Sequence, residues 1–296
     1  MPKSSAAGPL GAAIMLAGCS GGQLDPQGPV ASGQRIILFD ALGIMLAIVV
    51  PTLVGAVAVA WWFRASNPRA KYRPEFTFSG RIEILVWSIP TLVITFLGGL
   101  IWVGSHELDP AKPLVSDKKA LEVEVVSLDW KWLFLYPGSH VASINEVVVP
   151  AGTPVHFSLT SASVMNTFWA PQLAGMIYTM NGMVQQLNLS ADKPGNYLGR
   201  SGHFSGDGFS DMQFTVRAVP QADYEAWIKA AQADGPTLDR AAYEALERPS
   251  MANKPSTYRN VDPELFHGIA TQEIPAAPGP QSSDAGVDVH PTTAEK

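Results

Sequence analysis

"NEVVVPAGTPVHFSLTS", Asn145 to Ser161, decides the class of the fold. It is rich in Val, Thr and Phe and is broken by Pro150, Gly152 and Pro154, a pattern of strands and turns with no room for a helix. Working outward, "LEVEVVSL" (Leu121–Leu128) alternates apolar and polar residues, and "MVQQLNLS" (Met183–Ser190) and "MQFTVRA" (Met212–Ala218) are further β-rich runs. The spacing of these runs predicts a β-sandwich over residues 114–219.

The sandwich is not the whole chain. With 47% hydrophobic and 16% charged residues, the sequence is more apolar than an ordinary soluble protein. The excess lies in two uncharged runs, Ala41–Phe63 and Ile84–Ser105. As helices rising about 1.5 Å per residue, each is long enough to cross a hydrocarbon core of about 30 Å. Pro51 and Pro90 are tolerable in such spans, and Trp61, Trp62, Trp87 and Trp102 lie near their ends, where indoles favour the interface. A transmembrane helical hairpin over 38–105 is expected, with Asp40 in the headgroup region at the outer end of the first helix.

Orientation follows from the connecting loop, where Arg64, Arg69, Lys71, Arg73 and Arg81 face only Glu75. Positive loops stay in the cytoplasm, so residues 19–37 and everything after His106 belong on the outer side. An independent signal agrees. Lys3, the small and apolar run Gly8–Ala17 and "LAGC" (Leu16–Cys19) describe a secretory signal over 1–18. The last four residues resemble the bacterial lipobox, which implies that Cys19 becomes the lipidated first residue. The only cysteine of the chain is Cys19, so thiolate metal sites and disulfides are excluded beyond it. A net charge of -6 provides no basic field for nucleic acid. Beyond Pro220 the sequence turns helical again over 220–274, with Tyr224, Trp227, Ile228, Tyr243 and Leu246 as apolar stripes. Residues 275–296 are Pro, Ala, Ser and Asp with little to bury, which predicts a disordered tail.

Two spans, a basic loop and an outer β-domain resemble subunit II of the haem-copper respiratory oxidases. In the cytochrome c oxidases of that family a cupredoxin domain holds two copper ions through one early histidine and a C-x-E-x-C-x3-H-x2-M loop. The loop "GRSGHFSGDGFSDM" (Gly199–Met212) keeps that spacing and loses its chemistry. The early histidine falls on Asn166, the cysteines on Ser201 and Ser205, the glutamate on His203, the second histidine on Phe209 and the methionine on Met212. Only Met212 keeps its type. Serine hydroxyls are hard, mostly protonated ligands and Phe209 is none, so a thiolate-bridged copper pair is not expected. The glycines around Ser201 and Ser205 are read as serving a tight loop, with Phe209 filling space. "LDWKWLFLYP" (Leu128–Pro137), "INEVVVPAGTPV" (Ile144–Val155) and "SGDGFSDMQF" (Ser205–Phe214) are similar to the bo-type ubiquinol oxidase branch.

The resemblance implies a membrane-anchored all-β subunit: a transmembrane hairpin, a cupredoxin-like Greek-key sandwich and short C-terminal helices. It implies partnership with oxidase subunits I, III and IV and with membrane lipid in a bacterial inner membrane. Ubiquinol would be oxidised at the level of the complex, with haems and copper in subunit I and no cofactor in this chain. Glu83, in "RIEILVWSIP", matches a glutamate at the mouth of a proton path in related oxidases. The simpler reading is a carboxylate favoured by the helix dipole, worth about 0.3 to 1 kcal/mol. Trp130 and Trp132 alternate with Lys131, which predicts two indoles on one face of a strand, serving packing. A mononuclear metal site from His156, His203 and Met212 is the weaker reading of those residues. The rival functions are a copper-bearing cytochrome c oxidase subunit, opposed by the missing thiols, and a free cupredoxin-like lipoprotein that binds partners or assists oxidase assembly.

Overall fold

The computed structural model describes residues 22–71, 73–251 and 254–279. Cys19 and the signal segment 1–18 lie outside them. The described residues form two compact units, one made by residues up to Ser32 together with those from Pro110 onward, the other by Gly33–Asp109.

The first unit is a two-sheet sandwich. Its strands are β1 (Leu121–Leu128), β2 (Lys131–Tyr136), β3 (Val141–Ile144), β4 (Glu146–Pro150), β5 (Val155–Ser161), β6 (Asn166–Trp169), β7 (Met176–Thr179), β8 (Gln185–Leu189), β9 (Gly195–Ser201), β10 (Gln213–Val219) and β11 (Ser256–Tyr258). One sheet has the order β11-β3-β2-β1-β5-β8 and the other β4-β10-β9-β6-β7. The β1/β5 and β4/β10 pairs are parallel and the other pairings antiparallel. Between the sheets Trp132, Phe134, Phe157, Phe168 and Phe214 interlock, with Phe168 stacked on Phe214 at 4.6 Å and Trp132 meeting both edge-on at 5.4 Å. Burying each such ring is worth about 1.5–3 kcal/mol.

A single residue moves the chain from one sheet to the other. Asn145 stands between β3 and β4 with φ 56°, the left-handed region that asparagine tolerates better than most residues. Its Oδ1 accepts from the Trp132 N–H at 2.8 Å, and its own N–H donates to the Trp132 carbonyl at 2.9 Å. The backbone N–H of Thr215 on β10 then donates to the Asn145 carbonyl at 2.9 Å, so both sheets are tied to the bend.

The C-terminal segment docks on this unit, which settles where its apolar stripes go. Helix α3 (Gln221–Ala233) buries Tyr224 and Ala231, and Trp227 meets the Tyr136 ring at 5.2 Å. Helix α4 (Arg240–Leu246) is capped by Asp239, whose Oδ1 accepts from the Ala242 N–H at 2.9 Å. Tyr243, Leu265, Phe266 and Ile269, the last three on α5 (Leu265–Ala270), cover Val126, Leu128, Leu133 and Leu135. Strand β2 and the adjoining parts of β1 and β3 are thus buried on both faces, which is why "KWLFLY" shows no alternation of burial. The first residues of the segment read as a tail are placed: Ala277 N–H donates to the Ala162 carbonyl at 2.9 Å, so 275–279 lie along the domain, while 280–296 fall outside the described residues. At the other end, Gln27 and Ala31 donate to the carbonyls of Gln172 and Leu173, tying the N-terminal segment to the same unit.

The second unit holds two helices longer than the apolar runs predicted. Helix α1 (Pro29–Trp62) begins within the first unit and contains Pro51, and α2 (Gly80–Glu107) contains Pro90. Asp40 therefore lies inside α1, not at its start. Both are long and apolar enough to span a membrane, and their most apolar stretches are exposed.

Candidate functional site

Of the six positions with copper-site spacing, the structure links Asn166, Ser201 and Met212 directly, with the His203 carbonyl beside them. Asn166 opens β6, Ser201 closes β9, and Met212 precedes β10; all three are buried. Ser201 Oγ donates to Asn166 Oδ1 at 3.4 Å and lies 3.3 Å from the His203 carbonyl, and Ser201 N–H donates to the Met212 carbonyl at 3.1 Å. Ser205 is buried too, and its hydroxyl oxygen has no hydrogen-bond partner among the described residues. His203 is half-buried and meets the Tyr178 ring at 6.0 Å. Phe209 heads a short 3-10 turn, Phe209–Asp211, and is half-exposed beside Phe204 at 5.6 Å. Its ring packs edge-on against Phe204.

The glycines act differently from the simple tight-loop reading. A Cβ on Gly199 would come within 2.1 Å of the Phe214 ring, and one on Gly208 within 2.3 Å of the Trp130 indole. These two glycines are recesses for aromatic rings. Trp130 is not in a strand: β1 and β2 are joined by a two-residue turn, Asp129–Trp130, and Trp130 has φ 63°. A bulky residue in that conformation costs about 1–3 kcal/mol. Its indole N–H donates to the Ser205 carbonyl at 3.0 Å and its ring lies in the Gly208 recess, so the loop and the turn hold each other. The two indoles still enter one buried cluster, but from a turn and a strand.

The donor set decides what this cradle can bind. The six positions offer an amide, two hydroxyls, an imidazole, a phenyl ring and one thioether, and without a thiolate this set does not fit a thiolate-bridged copper pair. His156, on β5, pairs with Asn188 of β8 at 3.0 Å, within the opposite sheet from Ser201, so the structure does not join it to His203 and Met212.

Two other polar features stand out. Glu83, in the first turn of α2, accepts from the Trp87 indole N–H at 3.1 Å and is exposed. In the first unit, Asp129 and Lys131 are buried beside the C-terminal segment, where Lys131 Nζ donates to the Arg248 carbonyl at 2.7 Å and to Ser250 Oγ. Burial holds the Lys131 ammonium down to about 8, with Asp129 opposing. Burial raises the Asp129 carboxyl, opposed by the Ser163 hydroxyl at 2.6 Å and by Lys131. The only sequence signal for this pair was two charges inside an apolar run.

Residues 116–219 match the family described as cytochrome C oxidase subunit II, periplasmic domain, and residues 232–272 match the COX aromatic rich motif. The chain is 42% identical over 267 residues to the ubiquinol oxidase subunit 2 of Acetobacter aceti, covering 90% of this chain and 87% of that protein. It is 43% identical over 256 residues to the cytochrome bo(3) ubiquinol oxidase subunit 2 of Pseudomonas putida, covering 86% and 82%. Against the cytochrome bo(3) ubiquinol oxidase subunit 2 of Pseudomonas aeruginosa it is 41% identical over 263 residues, covering 89% and 80%. Similarity of this degree, sustained from the spans through the sandwich to the C-terminal helices, means that the chain belongs to the ubiquinol oxidase subunit 2 family.

Proposed function

We propose that this chain is the non-catalytic subunit II of a quinol oxidase complex that reduces oxygen to water and translocates protons. In this reading it sits in a bacterial inner membrane, with its N-terminus and sandwich on the periplasmic side. It anchors and caps subunit I, which carries the haems and copper, and shares the complex with subunits III and IV. Ubiquinol donates electrons to the complex, and none passes through a copper in this chain. Supporting this above all is the conjunction of family membership with a ligand frame in which both thiolate positions are serines, Ser201 and Ser205. The aromatic cluster around Trp132 and Phe168 then serves packing.

The test is purification of the tagged full chain from its native membrane. Co-purifying haem protein that oxidises quinol, with no copper assignable to this chain, is the expected result. A chain recovered alone would favour a free lipoprotein that binds partners or assists assembly. Copper stoichiometric with the isolated chain would overturn the quinol assignment.

Glu83 is the proton-uptake candidate. An exposed carboxylate at the first turn of a spanning helix, oriented by Trp87, can accept a proton from the aqueous side and hold it at the membrane boundary. Removing its charge forfeits at most about 1 kcal/mol of helix-dipole stabilisation, so assembly is expected to survive. Glu83→Gln is expected to assemble normally and to slow quinol oxidation. Wild-type turnover across the pH range would return Glu83 to a helix-start role.

A further inference from the structure

Between α1 and α2 lies a cavity of about 580 Å³ lined by Trp62, Phe63, Arg69, Lys71, Arg73 and Phe76. Its chemistry is divided: three aromatic rings and three cations. The neighbouring Arg64 is occupied by the helix end, since its Nη1 donates to the Trp61 carbonyl at 2.9 Å, its Nε to Ser66 Oγ at 3.0 Å, and its guanidinium lies 4.6 Å from the Trp61 ring centroid. The Asn67 side chain donates to the Trp62 carbonyl at 2.6 Å. The end of α1 is therefore closed without the three cavity cations. Arg69, Lys71 and Arg73 enter no ion pair among the described residues. Arg69, Lys71 and Arg73 are exposed, and three like charges gathered beside exposed aromatic rings repel one another, a cost that an anion among them relieves. Guanidinium forks match the paired oxygens of a phosphate, and lysine adds a point charge.

What identifies the anion is its neighbourhood. The cavity adjoins the end of a helix long and apolar enough to cross a bilayer, where lipid phosphates lie. Trp61, next in sequence to Trp62, bounds an apolar groove of about 490 Å³ that runs along α1 past Leu53, Val54, Val57 and Ala58. From residue 53 to 61 that face rises roughly 12 Å. A cationic cavity and an apolar groove one residue apart suit a molecule with a phosphate at one end and an acyl chain at the other.

We propose that the basic loop cavity binds the headgroup of an anionic phospholipid, with an acyl chain of the same molecule lying along the α1 groove. The proposal rests on the membrane-anchored reading above. It assigns a role to Arg69, Lys71 and Arg73 beyond orienting the hairpin. Each cation near a membrane surface strengthens attraction to anionic lipid about fivefold, so removing all three is expected to weaken retention roughly a hundredfold.

The experiment uses the intact complex in mild detergent, with phosphatidylglycerol carrying a photoactivatable group near its headgroup, and a matching phosphatidylcholine probe. Labelling by phosphatidylglycerol mapped to residues 61–76, and lost in the Arg69→Gln, Lys71→Gln, Arg73→Gln variant, is the expected result. The control variant Lys112→Gln, Lys118→Gln, Lys119→Gln removes as much charge from the first unit and is expected to label normally. Equal labelling of residues 61–76 by phosphatidylcholine, or undiminished labelling of the loop variant, overturns the proposal. So does displacement of the probe by inorganic phosphate alone, which would make the cavity a site for free anions. Should the loop variant fail to assemble, the wild-type comparison of the two probes decides. Quinol oxidation measured on the same wild-type sample separates failure of this site from failure of the subunit assignment.

Discussion

The loop Gly199–Met212 shows how a binding frame persists at the level of single residues after its ligands have gone. The Ser205 carbonyl receives the Trp130 indole N–H and Gly208 makes room for that ring, so the loop's path is fixed by contacts that never needed a metal. The Ser205 side chain points the other way in energetic terms: its hydroxyl is buried without a partner among the described residues. An unsatisfied buried hydroxyl costs about 1–3 kcal/mol, so Ser205→Ala is expected to stabilise the chain by about 1 kcal/mol. A lower melting temperature for Ser205→Ala than for wild type would contradict the account of an orphaned hydroxyl. The same geometry predicts that ligand chemistry can be restored. Asn166→His, Ser201→Cys, His203→Glu, Ser205→Cys and Phe209→His, with Met212 kept, place two thiols where buried serines now sit. Because Phe209 is half-exposed, its replacement forfeits less than full burial of the ring, below about 1.5 kcal/mol. Stoichiometric copper with thiolate absorption is expected in that variant, and a folded variant without copper would show that the frame has drifted.

At the scale of elements, the C-terminal segment covers the outer face of β1, β2 and β3, beneath which charged residues of the strands are then buried. Glu124 lies on the covered face of β1, where burial, with Glu122 adding to it, pushes its carboxyl up to about 7. Between about pH 4.5 and 7 the folded chain holds a proton that the unfolded chain has released, so stability falls as pH rises through that window. Glu124→Gln is expected to melt higher than wild type above about pH 7 and together with it below about pH 4.5, read by thermal denaturation. Lys131 ties the same segment down at Arg248 and Ser250, and Lys131→Met is expected to cost about 2 kcal/mol, seen as earlier proteolysis near residue 248. The strands β1, β5, β8 and β10 were legible because apolar residues repeat within them and Pro, Gly or Asn separate them. Other features were not. β11 is three residues, "STY", whose only reason to be a strand is the free edge of β3, a long-range partner that no local pattern announces. Trp130 has no propensity for a left-handed turn; its conformation is imposed by Ser205 and Gly208, far along the chain. The meeting of Asn166, Ser201 and Met212 was readable only because their spacing resembles a known loop.

At the scale of the molecule, anchoring depends on terms of very different size. The two helices each carry a stretch long and apolar enough to span a bilayer, with its side chains exposed. A single acyl chain gives only marginal, reversible membrane binding, with an association constant of about 10⁴ M⁻¹, far below the insertion of a spanning helix. Lipidation at Cys19, which lies outside the described residues, would therefore add little to retention. An acyl chain at Cys19 would act on position instead, because residues 22–32 are bound to the sandwich through Gln27 and Ala31. Cys19→Ala is expected to abolish acylation, read as the loss of acyl mass from the N-terminal peptide, while the chain stays in the membrane fraction after alkaline carbonate extraction. Release of that variant by carbonate would mean that α1 and α2 do not both span, and the hairpin reading would fail with it.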